Sequence, residues 1–192
     1  MAFVFPRPGV AGADGGQLTI RLVFTDIDGV WTDGSMYYDN IDSPSGELKR
    51  FHTYDSAGVK YCRLAGVPVV VITGESTEIV ARRCRKLGID RLSQGVGDKL
   101  TEATRLSAEY GIPLAECAYV GDDVPDIPLL EAVGYSAAPA NAPAYVAAHA
   151  MRVLQTAGGN GAFREFVEGM LPQHRRDELL SLWLASLRTP AH

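Results

Sequence analysis

Largely apolar runs punctuate this chain at Ile20 to Phe24, Val67 to Ile72 and Ala118 to Val120. Such runs, lacking the in-and-out alternation of a half-exposed strand, predict strands buried on both faces, as a parallel sheet requires. Helical spacing fills the intervals: one helix from about Ser56 to Ala65 leads into the second run, and an amphipathic helix begins near Lys99. A last strand near Met151 to Leu154 and a helix from about Ala162 continue the alternation. Beyond Pro172, the stretch Asp177 to Leu187 carries an apolar stripe of Leu180, Trp183, Leu184 and Leu187, which predicts a helix packed on this or a neighbouring chain. The alternation predicts an α/β fold, a Rossmann-like three-layer sandwich around a mostly parallel sheet. Two strand-like stretches, Ser35 to Tyr38 and Glu47 to His52, flank the turn-rich Asn40 to Gly46 and predict a small β-hairpin flap.

Polar residues cluster where these runs stop, and open α/β sheets place their chemistry at strand ends. The first run is followed by Asp26 and Asp28, the second by Thr73-Gly74-Glu75, and the third by Gly121-Asp122-Asp123-Val124-Pro125-Asp126. Lys99, within Gly97-Asp98-Lys99-Leu100, falls between the last two. Carboxylates two residues apart repel unless a cation or a shared proton sits between them, so the first pair points to metal-assisted phosphoryl transfer. A small hydroxyl where a strand gives way to a helix is suited to phosphate.

In order, placement and residue type, these four groups resemble the four motifs of the haloacid-dehalogenase-type phosphatases, over roughly residues 18 to 170. The resemblance implies Asp26 as nucleophile and Asp28 as the acid that protonates the leaving alcohol and later deprotonates water. Thr73 and Lys99 would hold the transferring oxygens. Mg2+ would sit between Asp26, the backbone carbonyl of Asp28 and Asp122, with Asp123 and Asp126 supporting that shell and Asp126 holding either Lys99 or a metal-bound water. Fewer than 30 residues separate Thr73 from Lys99, too few for an inserted domain, so the chain resembles the capless members. In these, neighbouring subunits complete the site, which implies a homotetramer with shared active sites.

Composition narrows the setting. The 192 residues are 46% apolar, enough for one domain with a sizeable core, read as a tail over 1–17, a phosphatase domain over 18–170 and a helical extension over 171–192. A formal charge of −5 argues against nonspecific nucleic-acid binding, and no stretch approaches a membrane span. Cys62, Cys84 and Cys117 have no ligand spacing and read as core residues, consistent with a reducing cytoplasm.

Within the capless group, Asp55-Ser56-Ala57-Gly58-Val59, Thr73-Gly74-Glu75, Gln94-Gly95-Val96 and Gly158 to Glu165 resemble phosphatases of eight- and nine-carbon 2-keto-3-deoxy sugar acids. Octulosonate 8-phosphate phosphatases usually carry arginine where Glu75 stands, so the expected substrate is 2-keto-3-deoxy-nononate 9-phosphate, with 3-deoxy-D-manno-octulosonate 8-phosphate as the alternative. Glu75 is read as a helix-start residue or an acceptor for sugar hydroxyls beside Gly74. Lys86 is read as lying on nearly the same face three turns later, serving a neighbouring site. The loop Gly158 to Gly161 is either a flexible link or a segment entering an adjacent site, with Arg164 contacting an anion or a subunit partner. A non-catalytic oligomerisation domain and a broad scavenging phosphatase are the other classes.

Overall fold

A computed structural model of the chain describes residues 3–5, 18–38 and 47–188. In chain order the elements are β1 (Phe3–Phe5), β2 (Leu18–Ile20), β3 (Leu22–Thr25), β4 (Tyr37–Tyr38), β5 (Glu47–Leu48), α1 (Asp55–Ala65), β6 (Val69–Ile72) and α2 (Glu78–Leu87). They continue with β7 (Arg91–Ser93), α3 (Lys99–Glu109), β8 (Cys117–Val120), α4 (Ile127–Ala132), β9 (Tyr135–Ala138), α5 (Ala144–Ala147), β10 (Arg152–Val153), α6 (Ala162–Gly169) and α7 (Gln173–Arg188). The main sheet has six strands in the order β10-β9-β8-β3-β6-β7, every pair parallel.

Strands β3, β6, β8 and β9 are buried at every position, which is why their sequences are largely apolar rather than alternating, with only Thr25 and Ser136 polar. Successive side chains still point to opposite faces. Val23, Val69 and Val71 pack with Val59 and Cys62 of α1, Val80 and Cys84 of α2, Phe163 and Phe166 of α6, and Leu179 of α7. On the other face Leu22, Phe24, Val70 and Ile72 meet Ala103 and Leu106 of α3, Leu129 and Leu130 of α4, and Val146 of α5. The result is the expected three-layer sandwich. From β3 the chain winds outward through β6 and β7, then returns to the other side of β3 for β8, β9 and β10. The carboxyl ends around β3 therefore border the crevice where such sheets bind ligands.

Several boundaries depart from the sequence reading. The first apolar run is broken at Arg21: only Leu22–Thr25 joins the main sheet, while Leu18–Ile20 pairs antiparallel with Phe3–Phe5. That pairing places three residues of the expected tail in a strand, and residues 6–17 lie outside the described residues. The flap hairpin is present as β4 pairing β5, shorter than expected, and its turn at 39–46 is likewise outside the described residues. The last helix buries a different stripe. Leu179 is fully buried and Trp183 meets Tyr61 edge-on at 5.5 Å, while Leu180, Leu184 and Leu187 are exposed on this chain. All three cysteines are free and buried, as packing residues would be. No helix among the described residues is long and apolar enough to cross a membrane.

Candidate active site

Asp26 follows β3 directly, and its backbone N–H donates to the Val120 carbonyl at 3.0 Å, so the ends of β3 and β8 are tied together at this residue. Its carboxylate is anchored at both oxygens. Oδ1 accepts from the Ile27 N–H at 2.7 Å, and Oδ2 accepts from Lys99 Nζ at 2.7 Å. The adjoining loop is clamped by Trp31, whose indole N–H donates to Thr25 Oγ1 at 2.9 Å. Gly29 is required twice over: its φ of +79° is costly for any side chain, and a Cβ there would lie 1.8 Å from Asp122 Oδ2. The Asp122 carboxylate therefore rests on the backbone of the Asp26–Gly29 turn.

Lys99 is the first residue of α3, whose start is fixed by Asp98 accepting the Thr101 N–H at 3.0 Å. Its ammonium bridges Asp26 Oδ2 and Asp126 Oδ1, the latter at 2.5 Å. Asp126 receives donors at both oxygens: the Tyr119 hydroxyl at 2.6 Å joins Lys99 on Oδ1, and the N–H groups of Asp122 and Asp123 reach Oδ2 at 2.8 and 3.0 Å. Asp123 itself is exposed and caps the short 3-10 turn Val124–Asp126 by accepting the Val124 N–H. Thr73 is buried at the end of β6, the neighbour of β3, with its N–H held by the Ser93 carbonyl.

Oxygens of Asp26, Asp122 and Asp126 lie within 4.8 Å of one another. Burial, joined by the Asp126 charge, pushes Asp26 up to about 7 against the opposing pull of Lys99. Burial and the charges of Asp26 and Asp126 push Asp122 up to about 8. Burial works against the Lys99 ammonium, but the two aspartates outweigh it and hold its pKa above the usual value. Three carboxylates thus face one lysine. The surplus negative charge and the all-oxygen donor set fit a hard divalent cation such as Mg2+. The Asp28 carboxylate lies outside that acidic group; it accepts from Thr32 Oγ1 at 3.1 Å and from Lys49 Nζ at 2.7 Å.

Other expected residues sit differently. Glu75 is not a helix-start residue: α2 begins at Glu78 behind a Thr77 cap, leaving Gly74 and Glu75 exposed in the loop after β6. Lys86 occupies the last turn of α2, exposed, roughly 12 Å along the axis from the helix start, so the shared face with Glu75 does not exist. The Arg164 guanidinium is engaged within its own chain, by Glu168 at 2.7 Å and by the Tyr54 ring. The glycine loop packs against the site's own loop: Gly159 N–H donates to the Val30 carbonyl at 3.0 Å, and a Cβ on Gly158 would meet the Gly29 carbonyl oxygen at 1.8 Å. Sequence reasoning missed Lys49 and Tyr119. The alternation Glu47-Leu48-Lys49 in a predicted flap strand, with both charges on one side, is the signal that could have found Lys49.

Known proteins similar to this chain show its family. A family model described as haloacid dehalogenase-like hydrolase matches residues 89–166. A curated relative from Haemophilus influenzae, a 3-deoxy-D-manno-octulosonate 8-phosphate phosphatase, is 40% identical over 79% of this chain and 83% of its own. Its counterpart from Escherichia coli K12 is 39% identical over 83% and 84%. Among solved structures, the Moraxella catarrhalis 3-deoxy-D-manno-octulosonate 8-phosphate phosphatase, in complex with magnesium, phosphate and KDO, is 32% identical with a TM-score of 0.79, covering 88% of this chain and 94% of that one. The cobalt-bound Haemophilus influenzae phosphatase is 39% identical with a TM-score of 0.74, covering 79% and 86%.

Proposed function

This chain belongs to the haloacid-dehalogenase-like hydrolases and is a phosphatase, and from that premise we propose that it hydrolyses a 2-keto-3-deoxy sugar-acid phosphate, 3-deoxy-D-manno-octulosonate 8-phosphate before others. The observation that carries the substrate is the identity of 39–40% with octulosonate 8-phosphate phosphatases over about four-fifths of the chain. It reverses the order expected from Glu75, which put the nononate first, and it leaves no ground for a non-catalytic domain.

Asp26 attacks phosphorus, and the leaving alkoxide takes the proton of Asp28 as the P–O bond breaks, giving an aspartyl-phosphate. Asp28, now a carboxylate, removes a proton from water as that water attacks phosphorus, releasing inorganic phosphate and restoring Asp26. Thr73 and Lys99 hold the equatorial oxygens, whose charge needs positioned donors more than covalent help. Asp26, Asp122 and the Asp28 backbone carbonyl would hold Mg2+, which when bound would supply positive charge to offset that of the phosphoryl oxygens and the carboxylates. Asp126 fixes Lys99 and, through the N–H groups of Asp122 and Asp123, the loop carrying Asp122.

Exposed Met36, Tyr37, Tyr38 and Leu48 on the flap support assembly as a homotetramer in which flaps complete neighbouring sites. Nononate 9-phosphate remains the second reading, favoured by the half-exposed Glu75 carboxylate, which can accept from sugar hydroxyls. Catalytic efficiencies on the two sugar-acid phosphates and on unrelated sugar phosphates test the proposal. Octulosonate 8-phosphate should rank first, nononate first would establish the second reading, and equal rates across all would establish a scavenging phosphatase.

A further inference from the structure

A lysine on a two-stranded hairpin ordinarily extends its ammonium into water. Lys49, just after β5, turns inward instead, its side chain 1% exposed. Its Nζ donates to Asp28 Oδ2 at 2.7 Å and lies 3.5 Å from Glu75 Oε2 and 3.7 Å from Glu47 Oε1. Glu47 Oε1 is buried without any hydrogen-bond partner, so the ammonium is its nearest compensation. The other Asp28 oxygen accepts from Thr32, which belongs to the same loop as Asp28. Three segments far apart in sequence, the flap, the Asp26–Thr32 loop and the turn after β6, therefore meet at one cation.

We infer that Lys49 is a positioning residue for the reaction: it holds the Asp28 carboxylate in its working orientation, and Glu75 acts on Asp28 through it. The inference rests on the phosphatase chemistry above and not on which sugar acid is the substrate. With the ammonium removed, Asp28 Oδ2 loses its charged donor, and the carboxylates of Asp28, Glu47 and Glu75 face one another with no cation between them. Thr32 alone then leaves the Asp28 carboxyl free to turn about its remaining hydrogen bond. Glu75, 44% exposed, sits on the open side of the ammonium and competes with Asp28 for it. Whatever changes the charge at position 75, a substitution or a ligand, changes how firmly Lys49 holds Asp28.

A purely structural lysine would anchor the flap and nothing more, so that its loss would raise KM and lower the unfolding temperature while kcat held. Steady-state hydrolysis of p-nitrophenyl phosphate with Mg2+ separates the two, because water must be deprotonated on every substrate. Lys49→Met should lower kcat about 10- to 100-fold with KM within about threefold, the scale of one charge-assisted hydrogen bond. Lys49→Arg should recover most of that loss. Glu75→Gln should change kcat in the Lys49 background and have no effect in the Lys49→Met background. An unchanged kcat in Lys49→Met, or a rise in KM alone, would overturn the inference, as would a Glu75→Gln effect of equal size in both backgrounds. Should Lys49→Met not fold, Lys49→Gln carries the same comparison. A wild type active on p-nitrophenyl phosphate but on no sugar-acid phosphate would defeat the substrate proposal and leave these ratios intact.

Discussion

Lys99→Met in metal-free protein isolates the electrostatics of the site. The lysine is 5% exposed and donates to Asp26 Oδ2 at 2.7 Å and Asp126 Oδ1 at 2.5 Å, so methionine replaces its volume but leaves two buried carboxylates without their cation. Removing one partner of a buried pair costs about 3–5 kcal/mol. For a chain of this size each kcal/mol moves the melting temperature by about 2–4 °C, so a fall of roughly 6–20 °C is expected at pH 8. At pH 6 the loss should be smaller, because carboxyls already raised to about 7 and 8, Asp26 and Asp122, take up protons instead of standing as bare charges. Thermal unfolding in chelator at the two pH values, followed by circular dichroism, reads both effects. A drop below about 2 °C, or an equal drop at both pH values, would show that Lys99 does not hold the buried aspartates together.

Asp28→Asn should slow the burst of released alcohol, which reads the phosphorylation step alone, far more with alkyl phosphates than with p-nitrophenyl phosphate, whose leaving group scarcely needs a proton, and equal slowing of both bursts would argue against acid catalysis by Asp28. Burial pushes Asp55 up to about 7, against the pull of the Arg164 and Phe163 N–H groups and of Arg83. A carboxyl raised above its unfolded value of 3.8 stabilises the fold while neutral, and that contribution fades as pH rises through about 7. Asp55→Asn should therefore gain roughly 2–3 kcal/mol relative to wild type between pH 5 and 8, most of it below pH 7, by urea unfolding, and a difference independent of pH would count against it. Sedimentation should find a tetramer at working concentration; a fully active monomer would remove the shared-site argument while leaving the chemistry in place.

The central strands were legible because a strand buried on both faces is largely apolar throughout, whereas the edge strands β7 and β10 are short and partly polar. The runs ending at Phe24, Ile72 and Val120 announce the strands, and the polar residues just beyond each run announce Asp26, Thr73 and Asp122 at their ends. The contacts between motifs were less so: that Asp126 holds Lys99, 27 residues before it, followed only from the family resemblance, and nothing local says that Tyr119 donates to Asp126 from inside β8. Lys49 was missed for the same reason, since an isolated lysine in a flap reads as a solvated charge until folding brings Asp28 and Glu75 to it. For α7, a stripe at helical spacing names a face but not its phase. Leu179 and Trp183 won the core because Trp183 meets Tyr61 of α1, turning Leu180, Leu184 and Leu187 outward. Glu75 was misplaced by the helix boundary, which Thr77 sets three residues later than a bare glutamate suggests.

Trapping the phosphorylated side chain bears on the whole scheme. Borohydride added during turnover reduces an acyl phosphate to the alcohol, converting a phosphorylated aspartate to homoserine, which peptide mass spectrometry locates. Homoserine should appear at position 26 when Mg2+ and substrate are both present, and at no position in Asp26→Asn. Active enzyme that yields none, or yields it at position 122 in place of 26, would contradict Asp26 as the nucleophile and with it the assignment of Lys99, Asp28 and Asp122 around it.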